Sequence, residues 1–240
     1  MRPPKQGEQV QREQIQGEQA GVDDEWRTWP LLERERALWQ AGFQLIAGID
    51  EAGRGPLAGP VVAAACILPR ALVFADVRDS KVLSEAARNR IAEELLSRAD
   101  VIWAIGVVSE QKIDQINILR ATLLAMKQAV EALSVMPDML LVDGRNAPES
   151  HLPKFAIIDG DALSQSVAAA SIIAKHKRDA IMRECHRAYP HYGFDRHKGY
   201  GTAEHLDAIR KHGLCPHHRR AFAPCKLAAE RRAADEKEKA

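Results

Sequence analysis

The sequence lacks the features that mark exported, membrane-spanning or disulfide-rich proteins. It contains no stretch of about 18 consecutive apolar residues, so no membrane-spanning helix is expected. The first residues are polar and lack the apolar core of a signal peptide. The four cysteines form no CxxC pair and match no zinc-ligand spacing, which argues against a disulfide framework and a zinc knuckle. We therefore expect a cytoplasmic protein that makes no contact with a membrane.

Net charge is also nearly absent, since 34 Lys and Arg balance 33 Asp and Glu. The charges are nevertheless unevenly distributed along the chain. The segment 174–220 contains eleven Lys or Arg against five acids, together with eight of the nine histidines. Tyr189, Tyr192, Phe194 and Tyr200 lie among them. This composition suits binding of a phosphate backbone and stacked bases, although on charge alone a solvated helix face explains it equally well.

The distribution of apolar residues predicts one main domain between two polar ends. Hydrophobic residues make up 46% of the 240, which is enough to bury a core. Residues 1–25 are rich in Gln and Glu and contain few core-forming residues, which predicts a disordered tail. Residues 226–240 are mostly Ala and charged residues, which predicts a charged tail or a frayed helix. The folded domain is expected at 26–225.

Short apolar runs alternate with helical patterns, which indicates an α/β architecture. The sequence predicts five strands, at 44–50, 60–68, 101–109, 139–143 and 154–158. It predicts four helices, at 84–98, 111–133, 162–187 and 202–212. Ser84 is the expected N-cap of the first of these helices. Because a Pro- and Gly-rich connection joins two early strands and helix–strand alternation follows only later, a mixed sheet is favoured over a purely parallel one.

Two of the predicted strands end in acidic residues just ahead of glycines. Asp50 and Glu51 end the first strand before a turn at 53–56, and Asp143 ends the fourth before Gly144. If these strands are neighbours, the three carboxylates converge at one end of the sheet. Clustered carboxylates repel one another unless a cation neutralises them, and their oxygens suit Mg²⁺ or Mn²⁺. Taken singly, each acid before a glycine is also an ordinary turn former.

A fourth acid could come from Asp159, Asp161 or Asp179. If 162–187 is one continuous helix, Asp179 lies about 27 Å beyond Asp161 along the helix axis, which is too far for a shared site. Asp159 and Asp161 both remain, and an Asp at either position is also a favoured helix N-cap. Two divalent ions held by such acids can activate an attacking water and stabilise the leaving oxygen in phosphoryl transfer.

The same glycine-rich turn matches a different motif as well. Residues 53–58 fit the GxGxxA form of a dinucleotide-binding fingerprint, and Asp76 follows about 20 residues later. The segment 59–68, however, is apolar and indicates a buried strand, whereas that fingerprint requires a helix whose N-terminus faces the pyrophosphate. Asp50 and Glu51 beside the turn would also repel a pyrophosphate. A dinucleotide site is therefore disfavoured.

The segment 48–61, GIDEAGRGPLAGPV, closely resembles the signature of bacterial ribonuclease HII. The resemblance spans about 45–222 and includes DSKVLS at 79–84, VDG at 142–144, GDA at 160–162, AAASIIAK at 168–175, RD at 178–179, YGF at 192–194 and HKGYGT at 197–202. It implies a ribonuclease H-like fold, a mixed five-stranded sheet flanked by helices, with a helical C-terminal part that crosses the substrate. It also implies an endonuclease that cuts the RNA strand of RNA/DNA hybrids and nicks 5′ of single ribonucleotides in duplex DNA. Cleavage would leave a 5′-phosphate and a 3′-hydroxyl.

The resemblance assigns the catalytic centre as well. It implies two-metal-ion catalysis with Mg²⁺ or Mn²⁺, and it places the family's four catalytic, metal-binding acids at Asp50, Glu51, Asp143 and Asp161. Asp179 lies in a matching segment but outside that set.

The substrate-binding residues implied by the resemblance form two groups. Gly53, Arg54 and Gly55 match a Gly-Arg-Gly turn that reads the ribose 2′-hydroxyl together with a tyrosine, which would be Tyr200. Glycine lets main-chain groups approach that hydroxyl closely, and the hydroxyl distinguishes RNA from DNA at a single nucleotide. The second group, Lys81 and Arg219, resembles positions that hold the phosphates flanking the cut.

Two alternatives stand beside this interpretation. A ribonuclease HIII-type enzyme would have an additional N-terminal substrate-binding domain, for which the first 25 residues are too few and too polar. A non-catalytic hybrid-binding protein could lose the acids freely, whereas all four are present here. We therefore expect a monomeric enzyme whose partner is nucleic acid, either an RNA/DNA hybrid or duplex DNA that contains a ribonucleotide.

Overall fold

The computed structural model describes residues 30–70, 72–74 and 84–238, with side chains up to 234. The predicted tail at 1–25 and the expected phosphate contact Lys81 lie outside the described residues. Within the described ranges, every helix is too short or too polar to cross a lipid bilayer.

The centre of the fold is a mixed five-stranded sheet. Its strands are β1 (Ile46–Ala52), β2 (Val61–Ile67), β3 (Ile102–Val108), β4 (Met139–Asp143) and β5 (Lys154–Ile157), in the order β3-β2-β1-β4-β5. The β1–β2 and β2–β3 pairs are antiparallel, whereas β1–β4 and β4–β5 are parallel. The prediction of a mixed sheet is confirmed. The dinucleotide-binding alternative is excluded, because a buried strand, β2, follows the glycine-rich turn where that fold needs a helix.

Eight α-helices are described: α1 (Glu33–Gln40), α2 (Glu85–Ser97), α3 (Glu110–Ile116), α4 (Ile118–Glu131), α5 (Gln165–Ala188), α6 (Phe194–His197), α7 (Ala203–His212) and α8 (Ala223–Glu238). Short 3-10 helices lie at Pro30–Leu32, Gly160–Ala162 and Pro190–Tyr192. Ser84 caps α2 as predicted, because its Oγ accepts a hydrogen bond from Ala87 N at 3.2 Å.

The prediction of one helix at 111–133 is wrong, since α3 and α4 divide it at Asn117. This residue has a φ of +67°, which ends α3, and its Oδ1 accepts a hydrogen bond from Arg120 N at 3.1 Å, which caps α4. Asn adopts a positive φ more readily than most residues, so a single residue both stops one helix and starts the next.

Helices cover both faces of the sheet. Odd-numbered residues of β2 pack in one core with α4, and even-numbered residues pack in a second core with α2 and α5, as the two-residue period of a strand requires. Gly48 allows β1 to lie directly against the start of α5, because a Cβ there would lie 2.0 Å from the carbonyl carbon of Ser166. This close contact places the N-terminal half of α5 beside the ends of β1 and β4.

The C-terminal helices form a third apolar core that is anchored to the glycine-rich segment. Leu57 and Ala58 pack there with residues from α5, α7 and α8. The structure forms a helix, α8, where the sequence left a charged tail or a frayed helix open. All four cysteines are free thiols and buried.

Candidate active site

The parallel pairing of β1 and β4 places their carboxyl ends side by side. Ile49 lies opposite Val142, so Asp50 and Asp143 are the next residues along the two strands. Asp161 lies in the 3-10 helix that connects β5 to α5. Gly160 N donates a hydrogen bond to Asp143 Oδ1 at 2.7 Å, which ties that connection to the end of β4.

These elements surround one cavity of about 390 Å³, here called the acidic cavity. Its lining includes all four predicted metal-binding acids, Asp50, Glu51, Asp143 and Asp161. It also includes four members of the predicted substrate-binding set, Gly53, Arg54, Gly55 and Tyr200. A larger cavity of about 860 Å³ lies between α7 and α8, but its lining includes no carboxylate. The acidic cavity is therefore the candidate active site.

The three candidates for a fourth acid, Asp159, Asp161 and Asp179, lie at different places relative to this cavity. Of Asp159, Asp161 and Asp179, only Asp161 lines the acidic cavity. Asp179 Oδ1 instead accepts a hydrogen bond from Lys175 Nζ at 2.7 Å. The alternative role of helix cap belongs to Ser164, whose Oγ accepts a hydrogen bond from Val167 N at 3.3 Å.

Burial and neighbouring negative charge both act on two carboxylates of the acidic cavity, Asp50 and Glu51. Burial raises the pKa of Asp50 well above its usual range, and the nearby charges of Glu51 and Asp143 raise it further. Burial likewise raises the pKa of Glu51, although Arg54 opposes this shift. A hydrogen bond from Ser171 lowers the pKa of Asp50 only in part. Burial and the neighbouring acids therefore disfavour the charged form of Asp50, which a bound cation would stabilise.

This donor set fits a hard divalent cation. In the described part of the chain, no three His, Cys, Asp or Glu side chains are already gathered as a metal-ligand group. The acids are held by local partners instead, since Glu51 Oε1 pairs with Arg54 at 3.1 Å and Asp143 Oδ1 with Gly160 N. Carboxylate oxygens are nevertheless the ligands that Mg²⁺ and Mn²⁺ prefer, and a cation would relieve the repulsion around Asp50.

Sequence reasoning did not identify the polar residues that one face of α5 contributes. Ser171, Lys175 and Arg178 line the acidic cavity together with Arg88 from α2. The three positions on α5 follow the i, i+4, i+7 spacing of a single helix face. Ser171 and Lys175, four residues apart within the otherwise apolar AAASIIAK segment, with Arg178 three residues further on, were the available signal.

Tyr200 lies directly opposite the glycine-rich segment, residues 53–60, here called the glycine turn. A Cβ on Gly55 would lie 3.6 Å from Tyr200 Cε1, and the Tyr200 side chain is exposed. Leu57 N donates a hydrogen bond to Gly199 O at 2.8 Å, which joins the two segments. The structure thus places Gly55 next to Tyr200, and the family resemblance implies a role in reading a ribose for both residues.

The expectation that Arg219 holds a phosphate requires correction. Arg219 is fully buried, and its guanidinium donates hydrogen bonds to the main-chain carbonyls of Gly53, Arg54, Pro56 and Gly59. A phosphate contact needs exposed donors, whereas these donors are engaged beneath the surface. Arg219 therefore holds the main chain of the glycine turn in place and does not contact a phosphate directly.

A buried pair of histidines fixes the main chain of Tyr200. His205 Nδ1 lies 2.8 Å from Tyr200 O, so this nitrogen carries the proton and His205 Nε2 accepts. His218 Nε2, 3.1 Å away, donates to it, and His218 Nδ1 accepts from Cys215 N at 2.9 Å. The chain of hydrogen bonds is complete when both rings are neutral. A further proton on either ring would place two N–H groups against each other or against Cys215 N–H.

This arrangement predicts a loss of stability in acid. Burial lowers the pKa of His205 to about 4 and that of His218 to about 3. In the unfolded chain both histidines have a pKa of about 6.5, so below that pH the unfolded chain binds protons that the folded protein does not bind. The stability of the folded protein therefore falls as pH decreases from about 6.5 towards 4. Side-chain hydrogen bonds, first with Cys185 and then with Glu110, raise the pKa of His217 to about 10. The stability that His217 contributes is therefore present below a pH of about 6.5 and is lost as pH rises from about 6.5 towards 10.

The measurement compares melting temperatures of the wild type and His205→Gln between pH of about 7 and about 5. The wild type is expected to lose up to roughly 1 kcal/mol more per pH unit than the variant, or roughly 2 to 4 °C in Tm. Parallel Tm profiles for the two proteins would contradict the assignment of neutral rings.

The sheet, its helices and the acidic centre at the ends of its central strands define a ribonuclease H-like α/β protein. The solved ribonuclease H2 of Pyrococcus horikoshii OT3 is similar over 78% of this chain and 98% of its own, with a TM-score of 0.66 and 25% identity. The Bst ribonuclease HIII solved in complex with Mn²⁺ is similar in fold, with a TM-score of 0.61 and 22% identity over 81% of this chain and 72% of its own. The predicted fold is confirmed.

Sequence comparison narrows this class to one family. The model of the ribonuclease HII family matches residues 47–225. The ribonuclease HII of Chlamydia caviae is 57% identical over 190 residues, which are 79% of this chain and 89% of the relative. That of Desulfitobacterium hafniense is 54% identical over 194 residues, 81% of this chain and 74% of the relative. The chain belongs to the ribonuclease HII family, and it is an endonuclease of the type II ribonuclease H class.

Proposed function

We propose that this enzyme hydrolyses the RNA strand of RNA/DNA hybrids and nicks duplex DNA on the 5′ side of a single ribonucleotide. The products would carry a 5′-phosphate and a 3′-hydroxyl. The observation that carries the proposal is that four carboxylates and a glycine–tyrosine pair line the same cavity. One group suits phosphoryl transfer and the other suits recognition of a sugar, so their shared position supports cleavage at a ribonucleotide.

Asp50, Glu51, Asp143 and Asp161 are the residues that would hold two Mg²⁺ or Mn²⁺ ions. When bound, such ions supply an activated water and stabilisation of the leaving 3′-oxygen in an in-line displacement. The Mn²⁺ complex of the Bst ribonuclease HIII concerns a protein of similar fold and supports testing both metals. Lys175 lies at the same cavity, where its ammonium adds positive charge beside the acids.

Recognition of ribose is assigned to the glycine turn and Tyr200. At Gly53 and Gly55 the main chain carries no Cβ, so its polar groups can approach a 2′-hydroxyl within hydrogen-bonding distance. Tyr200 offers both a ring face and a hydroxyl from the opposite side of the cavity. Arg54, whose side chain is half exposed, is placed to contact the neighbouring phosphate.

The proposed organisation is one catalytic domain at 26–225 that acts as a monomer in the cytoplasm. Its helical C-terminal part would contact the duplex on either side of the cut. The positive charge for that contact comes from exposed residues such as Arg187 and Arg210, because Arg178 and Arg219 are buried.

The direct test uses a DNA duplex that carries one ribonucleotide, an RNA/DNA hybrid and an all-DNA duplex of the same sequence. With Mg²⁺ or Mn²⁺, the first should be nicked 5′ of the ribonucleotide and the second cut throughout the RNA strand, whereas the third should stay intact. Omission of the divalent ion should stop both reactions. Binding of the hybrid without cleavage under all metal conditions would instead identify a binding protein.

A further inference from the structure

Two buried arginines from different parts of the sequence lie beneath the glycine turn and bind its main chain. Arg178 lies on α5 and Arg219 follows α7, and both are almost completely inaccessible to solvent. Arg178 Nε donates to Pro60 O at 3.0 Å, and its Nη2 donates to Ala58 O at 3.1 Å. With the four carbonyls that Arg219 binds, the two side chains hold most of the carbonyl groups of one eight-residue segment.

Arg178 also connects this segment to Tyr200. Its Nη1 donates to Lys198 O at 3.0 Å, two residues before Tyr200. One planar guanidinium therefore spans both walls of the gap in which the 2′-hydroxyl is proposed to bind. Gly53 packs directly on this group, since a Cβ there would lie 2.0 Å from Arg178 Nε.

The arrangement is energetically expensive for a loop support. Burial, followed by the like charge of Arg178, lowers the pKa of Arg219 to about 10. Burial is also the main cause that lowers the pKa of Arg178. Two cations held close together by carbonyl dipoles are stabilised less than a cation paired with a carboxylate. What the guanidinium provides in return is a rigid fork that fixes several acceptors at set distances.

We propose that Arg178 and Arg219 are positioning residues that set the width of the ribose-binding gap between the glycine turn and Tyr200. They thereby determine how strongly the enzyme discriminates a ribonucleotide from a deoxyribonucleotide. This inference rests on the proposed function and deepens it. Neither arginine acts on the phosphate, and each acts through the main chain that it holds.

The test uses Arg178→Lys and Arg219→Lys in the full chain. Lysine keeps the charge but replaces the planar fork by a single ammonium, so it cannot hold several carbonyls at once. The matched control is Arg120→Lys, an exposed arginine on α4, which packs on the other face of the sheet. All proteins are compared by circular dichroism and thermal unfolding before assay.

Two quantities are measured for each protein. The first is kcat/KM on the duplex with one ribonucleotide, which should fall about 100-fold in the arginine variants, as for a reacting group displaced by about 1 Å. The second is the affinity for that duplex relative to the all-DNA duplex, measured with Asp50→Asn added to every protein to prevent cleavage. This ratio should fall about tenfold, a loss of about 1.4 kcal/mol, while affinity for all-DNA, which depends on phosphate contacts, stays constant.

An unchanged affinity ratio in both variants would overturn the proposal, as would an equal loss of affinity for the two duplexes. If only one variant folds, that variant decides. Loss of cooperative unfolding in both would assign the arginines to global stability and would also overturn it. The wild type alone tests the proposed function. If the wild type does not cut at a ribonucleotide, the proposed function is wrong, and this inference fails with it. If the wild type cuts but the arginine variants keep its affinity ratio, only the inference fails.

Discussion

Replacement of Asp50 by Asn is expected to lower Mg²⁺-dependent cleavage by about 1,000-fold or more, which corresponds to about 4 kcal/mol of transition-state stabilisation. Asn has nearly the same shape, and its side-chain oxygen can still accept the hydrogen bond from Glu51 N, which is 2.7 Å long in the wild type. The substitution therefore removes the negative charge with little change in packing. Loss of that charge lowers the affinity for any divalent ion held between Asp50 and Asp143.

The same substitution should not destabilise the protein in the absence of metal. Asp50 is buried beside Glu51 and Asp143, so its carboxylate is repelled by both neighbours. When divalent cations have been removed with a chelator, the Tm of Asp50→Asn should equal or exceed that of the wild type. Added Mg²⁺ should raise the Tm of the wild type more than that of the variant, because only a protein that binds the ion gains stability by mass action.

Asp138→Asn is the matched control for this experiment. Asp138 lies at the opposite end of β4, where its Oδ2 accepts hydrogen bonds from Gln44 N and Leu45 N at 3.2 and 3.0 Å. Asn preserves an acceptor there, and cleavage should be unchanged. Near wild-type cutting by Asp50→Asn, or an equal Mg²⁺-induced rise in Tm, would contradict the assignment of Asp50 as a metal ligand.

The position of Asp50 illustrates which parts of the site can be predicted from sequence. An apolar run that stops at an acid followed by glycine predicts a strand end, and β1 and β4 both end in this way. Whether two strand ends meet depends on sheet order, which local sequence does not encode. The resemblance to a family supplied that information, and the pairing of Ile49 with Val142 agrees with it.

Arg219 shows why the rest could not be predicted. In the sequence it is one of many cations in a basic segment, and its interpretation as a phosphate contact rested on the family resemblance and on its charge. Burial depends on how Leu57 and Cys215 pack between α5, α7 and α8, which involves contacts distant in sequence. His205 and His218 were counted as part of the same basic segment, although both are buried.

Replacement of Gly53 by Ala is expected to reduce kcat/KM on a ribonucleotide-containing duplex by about 100-fold, because it displaces the glycine turn by roughly 1 Å or more. The new Cβ would lie 2.0 Å from Arg178 Nε and 2.8 Å from Pro60 O. Arg178 cannot simply move aside, since its guanidinium is held by Pro60 O, Ala58 O and Lys198 O. Either the turn shifts or the three hydrogen bonds break, and both outcomes disturb the gap facing Tyr200.

A second effect must be separated from this one, because Gly53 has a φ of +96°, which disfavours any residue with a Cβ. Gly42 has a φ of +100°, but a Cβ added there would have no other atom within 4 Å, and the residue lies before β1, away from the acidic cavity. Gly42→Ala therefore measures the backbone strain alone, about 1 kcal/mol, without a steric conflict. Gly53→Ala should lower the Tm further than Gly42→Ala does and should alone impair cleavage. Equal Tm values and equal activities for the two variants would show that Arg178 yields to the added methyl group, and the gap would then not depend on the arginine's fixed position.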